Sequence, residues 1–188
     1  MRRIPVSAMI GLFVTGLFFF TAVFAGWLAP YGFDEVLSDQ VWAPRSSEFL
    51  LGTDSIGRDL LSRMIYGCQV TIFVATAATI LSFTVGSVLG FVAAVLGGWT
   101  DQLLSRANDL IMAVPSLILA LVILSVLPPS LITLIVVIGL LDATRVFRLA
   151  RAVAVDIEVM DYVEAARLRG EGWAWIVFRE ILPNALSP

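Results

Sequence analysis

The sequence predicts an all-α integral membrane protein with about four transmembrane helices in this chain. Apolar residues make up 59% of the 188 positions, and the mean hydropathy is +0.95. Charged residues make up only 14%, and they cluster so that long stretches carry no charge. An uncharged stretch of about 20 residues crosses a bilayer as a helix, because a helix satisfies its own backbone hydrogen bonds in lipid.

The first predicted span lies near Ala8–Leu28. Residues 4–33 carry no charge and follow Arg2 and Arg3. This run exceeds the ~7–15 apolar residues of a signal peptide, and no A-x-A cleavage site follows it, which favours a transmembrane helix over a cleaved signal. We assign residues 1–29 to a cytoplasmic N-terminus with the first transmembrane helix, and residues 30–68 to an external loop.

The second predicted span lies near Gln69–Leu96, inside an uncharged stretch at residues 64–100. Small residues recur there at every fourth position, which places them on one helix face and permits close approach of another helix. These residues are Gly86, Gly90, Ala94 and Gly98.

Two further spans are predicted between Asp109 and Asp142. The uncharged stretch is too long for one ordinary span and too short for two of about 20 residues. A proline pair at residues 128–129 breaks it, because proline removes a backbone donor and clashes with the preceding turn. We place the spans near Ser105–Leu127 and Leu131–Ala150.

Arginine positions favour this four-span topology. With four spans, nine of the twelve arginines share one side of the membrane, and only Arg45, Arg58 and Arg63 lie on the other. With three spans, the tail after Leu141 would move to the other side of the membrane, and the arginine bias would be inverted. The positive-inside rule therefore predicts that both ends of the chain are cytoplasmic and that residues 30–68 are external.

Three charged residues fall within or beside the last two spans. Asp109 and Asp142 would be costly there without a partner, and Arg145 lies three residues beyond Asp142 on the same helix face. One interpretation is a local ion pair or an interfacial carboxylate. The other is that Asp109, Asp142 and Arg145 line a substrate path or an interface.

The external loop contains the sequence LGTDSIGRDLLSRMIYG at residues 51–67, which we call the external motif. Thr53 or Asp54 is predicted to cap a short helix, and Gly52 and Gly57 to give the backbone freedom at turns. Local ion pairs are predicted among Arg58, Asp59 and Arg63. No nucleophile–base pair and no metal-ligand cluster is visible in this sequence, which indicates a structural element.

The C-terminal region contains VEAARLRGEGWAWIVFREILPN at residues 163–184. Asp161 as N-cap and Glu164 three residues later predict a short helix that ends at Gly170 and Gly172. A second, apolar helical piece is predicted before Pro183. Acidic residues balance the basic ones here, which argues against nucleic-acid binding. Membrane-interface anchoring remains open, but small side chains favour docking of the helix into a groove of another protein.

This pattern resembles the EAA loop of ATP-binding-cassette importer permeases. The matching residues are Glu164, Ala165, Ala166, Gly170, Leu182 and Pro183. The external motif, GGWTD at residues 97–101, and Asp109 with Pro115-Ser116 narrow the resemblance to the second permease subunit of dipeptide, oligopeptide and nickel importers. It covers roughly residues 51–188, with weaker similarity through the first span. One departure is Glu180, where this subfamily commonly has histidine.

The resemblance implies a fold, partners and a location. Residues 69–188 would form a core permease (transmembrane) domain, incomplete because the family fold has two further spans, and the sequence would then be C-terminally truncated. Residues 156–184, which we call the tail segment, would contain the coupling loop. Partners would be ATPase subunits, a homologous second permease subunit, an external substrate-binding protein and membrane lipid, in a bacterial inner membrane.

The resemblance also implies which subunit hydrolyses ATP. The chain itself would be no enzyme and would hold no metal or other cofactor, since ATP and Mg would be bound by the partner ATPase. Absence of lysine excludes an ATP-binding loop of the usual type in this chain, which agrees with hydrolysis elsewhere. The expected substrates are di- and oligopeptides. Nickel or another small solute is the alternative within the family, and a truncated membrane scaffold that transports nothing is the alternative outside it.

Overall fold

The computed structural model describes residues 5–37 and 41–185, where the regular elements are helices and no strand is present. Arg2 and Arg3, on which part of the predicted orientation depends, lie outside the described residues. The helices are α1 (Val6–Val23), α2 (Ala25–Leu28), α3 (Leu60–Leu96), α4 (Gly98–Met112), α5 (Ser116–Val126), α6 (Leu131–Glu158), α7 (Asp161–Leu168), α8 (Trp173–Trp175) and α9 (Leu182–Ala185), with a π-helical stretch (Ile176–Ile181) before α9. The all-α fold class is confirmed.

Two helices in the described ranges are long and apolar enough to cross a membrane. They are α1 and α3, which correspond to the first two predicted spans. A third span is present if α4 and α5 are counted together, although they are bent by 85° at their junction. The predicted fourth span falls within α6, whose charged residues reduce its apolar character. The total of four therefore stays a prediction.

The third predicted span, Ser105–Leu127, is wrong as a continuous helix. α4 ends at Met112 and α5 begins at Ser116, with Pro115 preceding the new helix. Proline lacks a backbone N–H and its ring clashes with the turn before it, which explains the break. As a consequence, Asp109 lies in the last turn of α4.

The structure divides into two compact units, Met1–Ala75 and Thr76–Pro188. In the first unit, α1 meets the N-terminal part of α3, where the Cys68 thiol lies 3.5 Å from the carbonyl oxygen of Phe18. An isolated antiparallel bridge between Thr53 and Asp59 closes the external motif. This unit therefore combines a helix pair with a folded loop.

In the second unit, α3 packs closely against α6. A Cβ atom on Gly86 would lie 2.6 Å from the carbonyl oxygen of Ala143, and one on Gly90 would lie 2.7 Å from that of Phe147. The predicted close approach is thus confirmed at both glycines. The prediction was wrong for Gly98, because α3 ends at Leu96 and Gly98 begins α4.

Candidate functional site

The external motif is organised around a buried carboxylate. Asp54 is 4% exposed, and its Oδ1 accepts hydrogen bonds from the backbone N–H groups of Ile56 at 2.9 Å and Arg58 at 3.0 Å. Its Oδ2 accepts from Nε of Arg58 at 2.9 Å and pairs with the guanidinium of Arg63. Burial opposes ionisation of Asp54, but these donors outweigh it and hold the pKa of the carboxyl well below its usual range.

The helix cap in this motif differs from the prediction. Asp59, rather than Thr53 or Asp54, precedes α3, and its Oδ2 accepts from the backbone N–H of Ser62 at 2.7 Å. The Thr53 hydroxyl instead accepts from the backbone N–H of Ala43 at 2.8 Å. The sequence could not distinguish these candidates, because all three have a side-chain oxygen that can cap a helix.

Glycines fix the turns of the external motif as predicted. Gly52 has φ +83° and Gly57 has φ +78°, a region that residues with a Cβ rarely adopt. A Cβ atom at Gly52 would also collide with the carbonyl oxygen of Ala43. The motif is therefore a folded structural element, in which Asp54 binds groups of the motif itself and Thr53 binds the preceding part of the loop.

The three charged residues predicted for a path or interface do not form one cluster. Among the described residues, no ion pair joins Asp142 to Arg145, and both side chains are exposed. Arg145 lines a cavity of about 350 Å³ at the junction of α4 and α5. Asp109 lines a separate cavity of about 340 Å³ between α4 and α6. The predicted local pair is absent from this part of the chain.

The tail segment begins with a helix that lacks the predicted capping box. The N-cap of α7 is Met160, whose carbonyl oxygen accepts from the backbone N–H of Val163 at 2.9 Å. Asp161 is the first residue of the helix instead. Asp161 and Glu164 both lie in the first turn, where negative charge interacts favourably with the helix dipole.

The three residues of the EAA triplet face in different directions. Val163 and Ala166 are 0% exposed, whereas Glu164 and Ala165 are exposed. Ala166 belongs to a core shared by the tail segment with α3 and α6, whose buried members are Phe91, Ala94, Ala150, Ala154, Val163, Ala166, Ile176, Val177 and Ile181. Only Glu164 and Ala165 of the triplet can therefore present their side chains to a partner.

A glycine turn ends α7 as predicted. Gly170 has φ +81°, its N–H donates to the carbonyl of Arg167 at 2.9 Å, and the N–H of Glu171 donates to that of Ala166 at 3.2 Å. These two bonds form a Schellman motif, which requires a left-handed residue at the position of Gly170. No atom lies within 4 Å of a Cβ built there, so backbone conformation alone demands the glycine.

The second helical piece of the tail segment does not stop before Pro183. Helix α9 runs from Leu182 to Ala185 and includes the proline, directly after the π-helical stretch. Proline clashes with the carbonyl four residues earlier in an α-helix, and the widened turns accommodate it. The predicted helix end was therefore wrong. Glu180, the departure from the family pattern, pairs with Arg169 at 3.7 Å and so links the two halves of the segment.

Two arginine contacts that the sequence did not predict tie this region to the membrane helices. The Arg167 guanidinium donates to Glu158 at 2.5 Å and to the carbonyl of Val95, near the end of α3, at 3.4 Å. Arg151 forms a bidentate pair with Asp101 in the first turn of α4, at 2.5 and 2.6 Å. Asp101 lies in the GGWTD sequence, and that motif was the only feature of the sequence that pointed to this residue.

These contacts lie on either side of a glycine pair. Gly97 has φ +57° and Gly98 has φ +51°, and no atom lies within 4 Å of a Cβ built at either position. Two consecutive residues in this conformation form a break between α3 and α4 that most other residues would resist. The arginine contacts therefore lie on both sides of the glycine junction between α3 and α4.

The helices define a multi-pass membrane protein, and its tail segment holds a short helix with one face in a core and the other exposed. The chain belongs to the family described as binding-protein-dependent transport system inner membrane component, which matches residues 86–188. Residues 6–46 match the N-terminal transmembrane domain of oligopeptide transport permease C. The family that the sequence resembles is thus confirmed as a family of inner membrane transport components.

Similar curated proteins carry peptide-transport names. The chain is 36% identical to the di/tripeptide transport system permease protein DppC of Pseudomonas aeruginosa, over 97% of this chain and 62% of that protein. It is 38% identical to the dipeptide permease DppC of Escherichia coli, over 97% and 63%. Against the oligopeptide permease OppC of Bacillus subtilis the identity is 30%, over 96% and 59%. The chain thus spans about three fifths of the length of these relatives.

Proposed function

We propose that the chain contributes membrane spans to an ATP-driven, binding-protein-dependent importer of di- and oligopeptides. Peptide transport is named in the similar proteins, and the family is named for its dependence on a binding protein. The observation that carries the proposal is the tail segment, where Glu164 and Ala165 are exposed on a helix whose other face is fixed in a core. Both chain ends would be cytoplasmic.

The exposed face of α7 fits a groove on an ATPase subunit. Leu168 is 83% exposed and Tyr162 is 39% exposed, beside the small side chain of Ala165. A small residue flanked by apolar ones lets a partner approach the helix backbone and bury apolar area. We assign ATP and Mg binding to that partner, and we assign the coupling contact to Glu164, Ala165 and the Gly170 turn.

A route from the docking element to the spans runs through the contacts already described. The shared core attaches α7 to the ends of α3 and α6, and Arg167 and Arg151 hold the two sides of the Gly97–Gly98 junction. A displacement of the tail segment would change the angle between α3 and α4 at these glycines. Leu182 and Pro183 extend the core-facing helix of the segment and contribute to its position.

The remaining partners are proposed from exposed surface. Large apolar side chains on α4 and α5 are exposed, including Leu110 at 74% and Leu117 at 71%. In a membrane protein such surface contacts lipid or another membrane subunit. We assign it to a homologous second permease subunit and to lipid, and we assign docking of the substrate-binding protein to the external side.

Reconstitution tests the proposal. The chain is co-expressed with its cognate ATPase, second permease and binding proteins, and ATP-dependent uptake of a radiolabelled dipeptide into proteoliposomes is measured. Uptake that requires ATP and the binding protein supports the proposal. ATPase binding without substrate-stimulated hydrolysis would establish a non-transporting scaffold instead, and uptake of nickel ions in preference to peptide would establish the other branch of the family.

A further inference from the structure

The cavity between α4 and α6 carries charges of both signs. Its volume is about 340 Å³, and it is lined by Ser105, Asn108, Asp109, Phe147, Arg148 and Arg151. This volume lies within the range of about 300–1,000 Å³ that is usual for small-molecule sites. Apart from Phe147, every one of these side chains is polar or charged.

The charges in this cavity divide into one that is already paired and two that are not. Arg151 is held by Asp101 in the bidentate pair described above. Among the described residues, Asp109 forms no ion pair, and the only polar contact of Arg148 is a weak one to the sulfur of Met112 at 3.8 Å. The cavity therefore offers one carboxylate and one guanidinium that do not neutralise each other.

Both unpaired charges are exposed, and in the predicted topology they lie near the cytoplasmic ends of the third and fourth spans. Charged groups in membrane segments face a water-filled path or a polar partner, because exposure to lipid is costly. A ligand with a cationic and an anionic group at a fixed separation would match both residues. An extended di- or tripeptide separates its terminal ammonium and carboxylate by about 7–10 Å, so it can reach two side chains that do not touch.

We propose that this cavity binds the two charged ends of a short peptide, with Asp109 contacting the ammonium group and Arg148 contacting the carboxylate. The inference rests on the proposed function and adds to it a recognition site at the cytoplasmic ends of these spans. The two contacts are charge-assisted hydrogen bonds, and each gives selectivity for one free terminus. Arg151 is a positioning residue here, since its pair with Asp101 fixes α4 against α6.

Terminally blocked peptides test the two contacts separately. Uptake of a free tripeptide is compared with its N-acetylated and C-amidated forms, using the reconstituted complex and variants Asp109→Asn and Arg148→Gln. Asp109→Asn should reduce discrimination against the N-acetylated peptide by about tenfold, the effect of one lost charge-assisted hydrogen bond, and leave C-amide discrimination unchanged. Arg148→Gln should show the opposite pattern. Because every variant receives the same binding protein, the selectivity of that protein cancels in each variant-to-wild-type ratio.

Controls separate this inference from simpler explanations. Arg106→Gln removes the same charge from an exposed site on α4 that does not line the cavity, and it should keep both discrimination ratios. Asp109→Glu should restore discrimination against N-acetylation. If both cavity variants lower uptake of all three peptides equally, or change neither ratio, the residues serve subunit contact or structure and the inference is overturned. If the wild-type complex takes up no peptide, the proposed function itself fails.

Discussion

The external motif and the tail segment are built from similar parts but use them in opposite ways. Each combines charged side chains with glycine at positive φ, at Gly52 and Gly57 in the first and at Gly170 in the second. In the external motif the polar residues are buried, with Asp54 at 4% and Asp59 at 3% exposed. In the tail segment, α7 exposes Glu164 and Ala165, and Leu168 further along is 83% exposed. The buried polar residues hold the external loop together, whereas the exposed residues of α7 are available to a partner.

The largest effect is expected at the turn that ends α7. Gly170→Val places a β-branched residue at φ +81°, where even an unbranched L-residue costs about 1–2 kcal/mol. Membrane insertion should be preserved, but peptide uptake by the reconstituted complex should fall at least about tenfold, because the docking helix would lose its orientation. Uptake is measured at equal amounts of assembled complex.

Gly172 supplies the matched control for this variant. It lies two residues beyond Gly170 and has an ordinary φ of −73°, and a Cβ atom added to it would meet no other atom within 4 Å. Gly172→Val should therefore retain most of the uptake. Equal losses in the two variants, or wild-type uptake in Gly170→Val, would show that the left-handed turn is not needed for coupling.

The next largest effect is expected in the external motif. Asp54→Asn removes the charge that balances Arg58 and Arg63, and it leaves donors in a buried site without their full set of acceptors. Trypsin should then cleave after Arg58 and Arg63 much faster than in the wild type. Asp34→Asn removes an exposed carboxylate from the same loop and should leave cleavage unchanged. Slow cleavage in Asp54→Asn would show that the motif is not held by this carboxylate.

A sharper test compares the two neighbouring alanines. Ala166→Leu overpacks a core position that is 0% exposed, which should destabilise the second unit by about 1–3 kcal/mol in thermal unfolding. Ala165→Leu changes an exposed position and should leave stability unchanged while weakening co-purification with the ATPase subunit. The reverse assignment of the two phenotypes would mean that α7 docks through its other face.

The sequence predicted what depends on local chemistry and failed where distant residues decide. The four-residue spacing of Gly86 and Gly90 predicted close helix packing, and Gly170 predicted the turn, because glycine has no side chain to place. The break at Pro115 was missed, since the apolar run around it was long enough for a span. The sequence also could not show which of Ala165 and Ala166 is buried, because packing against α3 and α6 determines this.

The pair of Asp101 with Arg151 illustrates the same limit. Fifty residues separate the two side chains, and spacing along one helix gives no information about such a contact. The capping residue of α3 was also predicted wrongly, although here the competing residues are close together in the sequence. Thr53, Asp54 and Asp59 all carry suitable oxygens, and the external motif assigns each a different donor only once the loop has folded.

The smallest effect is expected from acidification, and in the external motif it should act through Asp54. The pKa of Asp54 is lowered in the folded protein, so its stabilising contribution is complete above the usual aspartate value of 3.8 and is lost as the pH falls below it toward the folded pKa. Hydrogen-exchange protection of the Ile56 and Arg58 amides, which donate to this carboxylate, should stay constant from pH 7 to about 5 and decline only below about 4. The Gly170 and Glu171 amides donate to backbone carbonyls that do not titrate, and their protection should not change in that window. Loss of protection at Ile56 near neutral pH would mean that another group controls the loop, and parallel loss at Gly170 would mean that acid unfolds the chain as a whole.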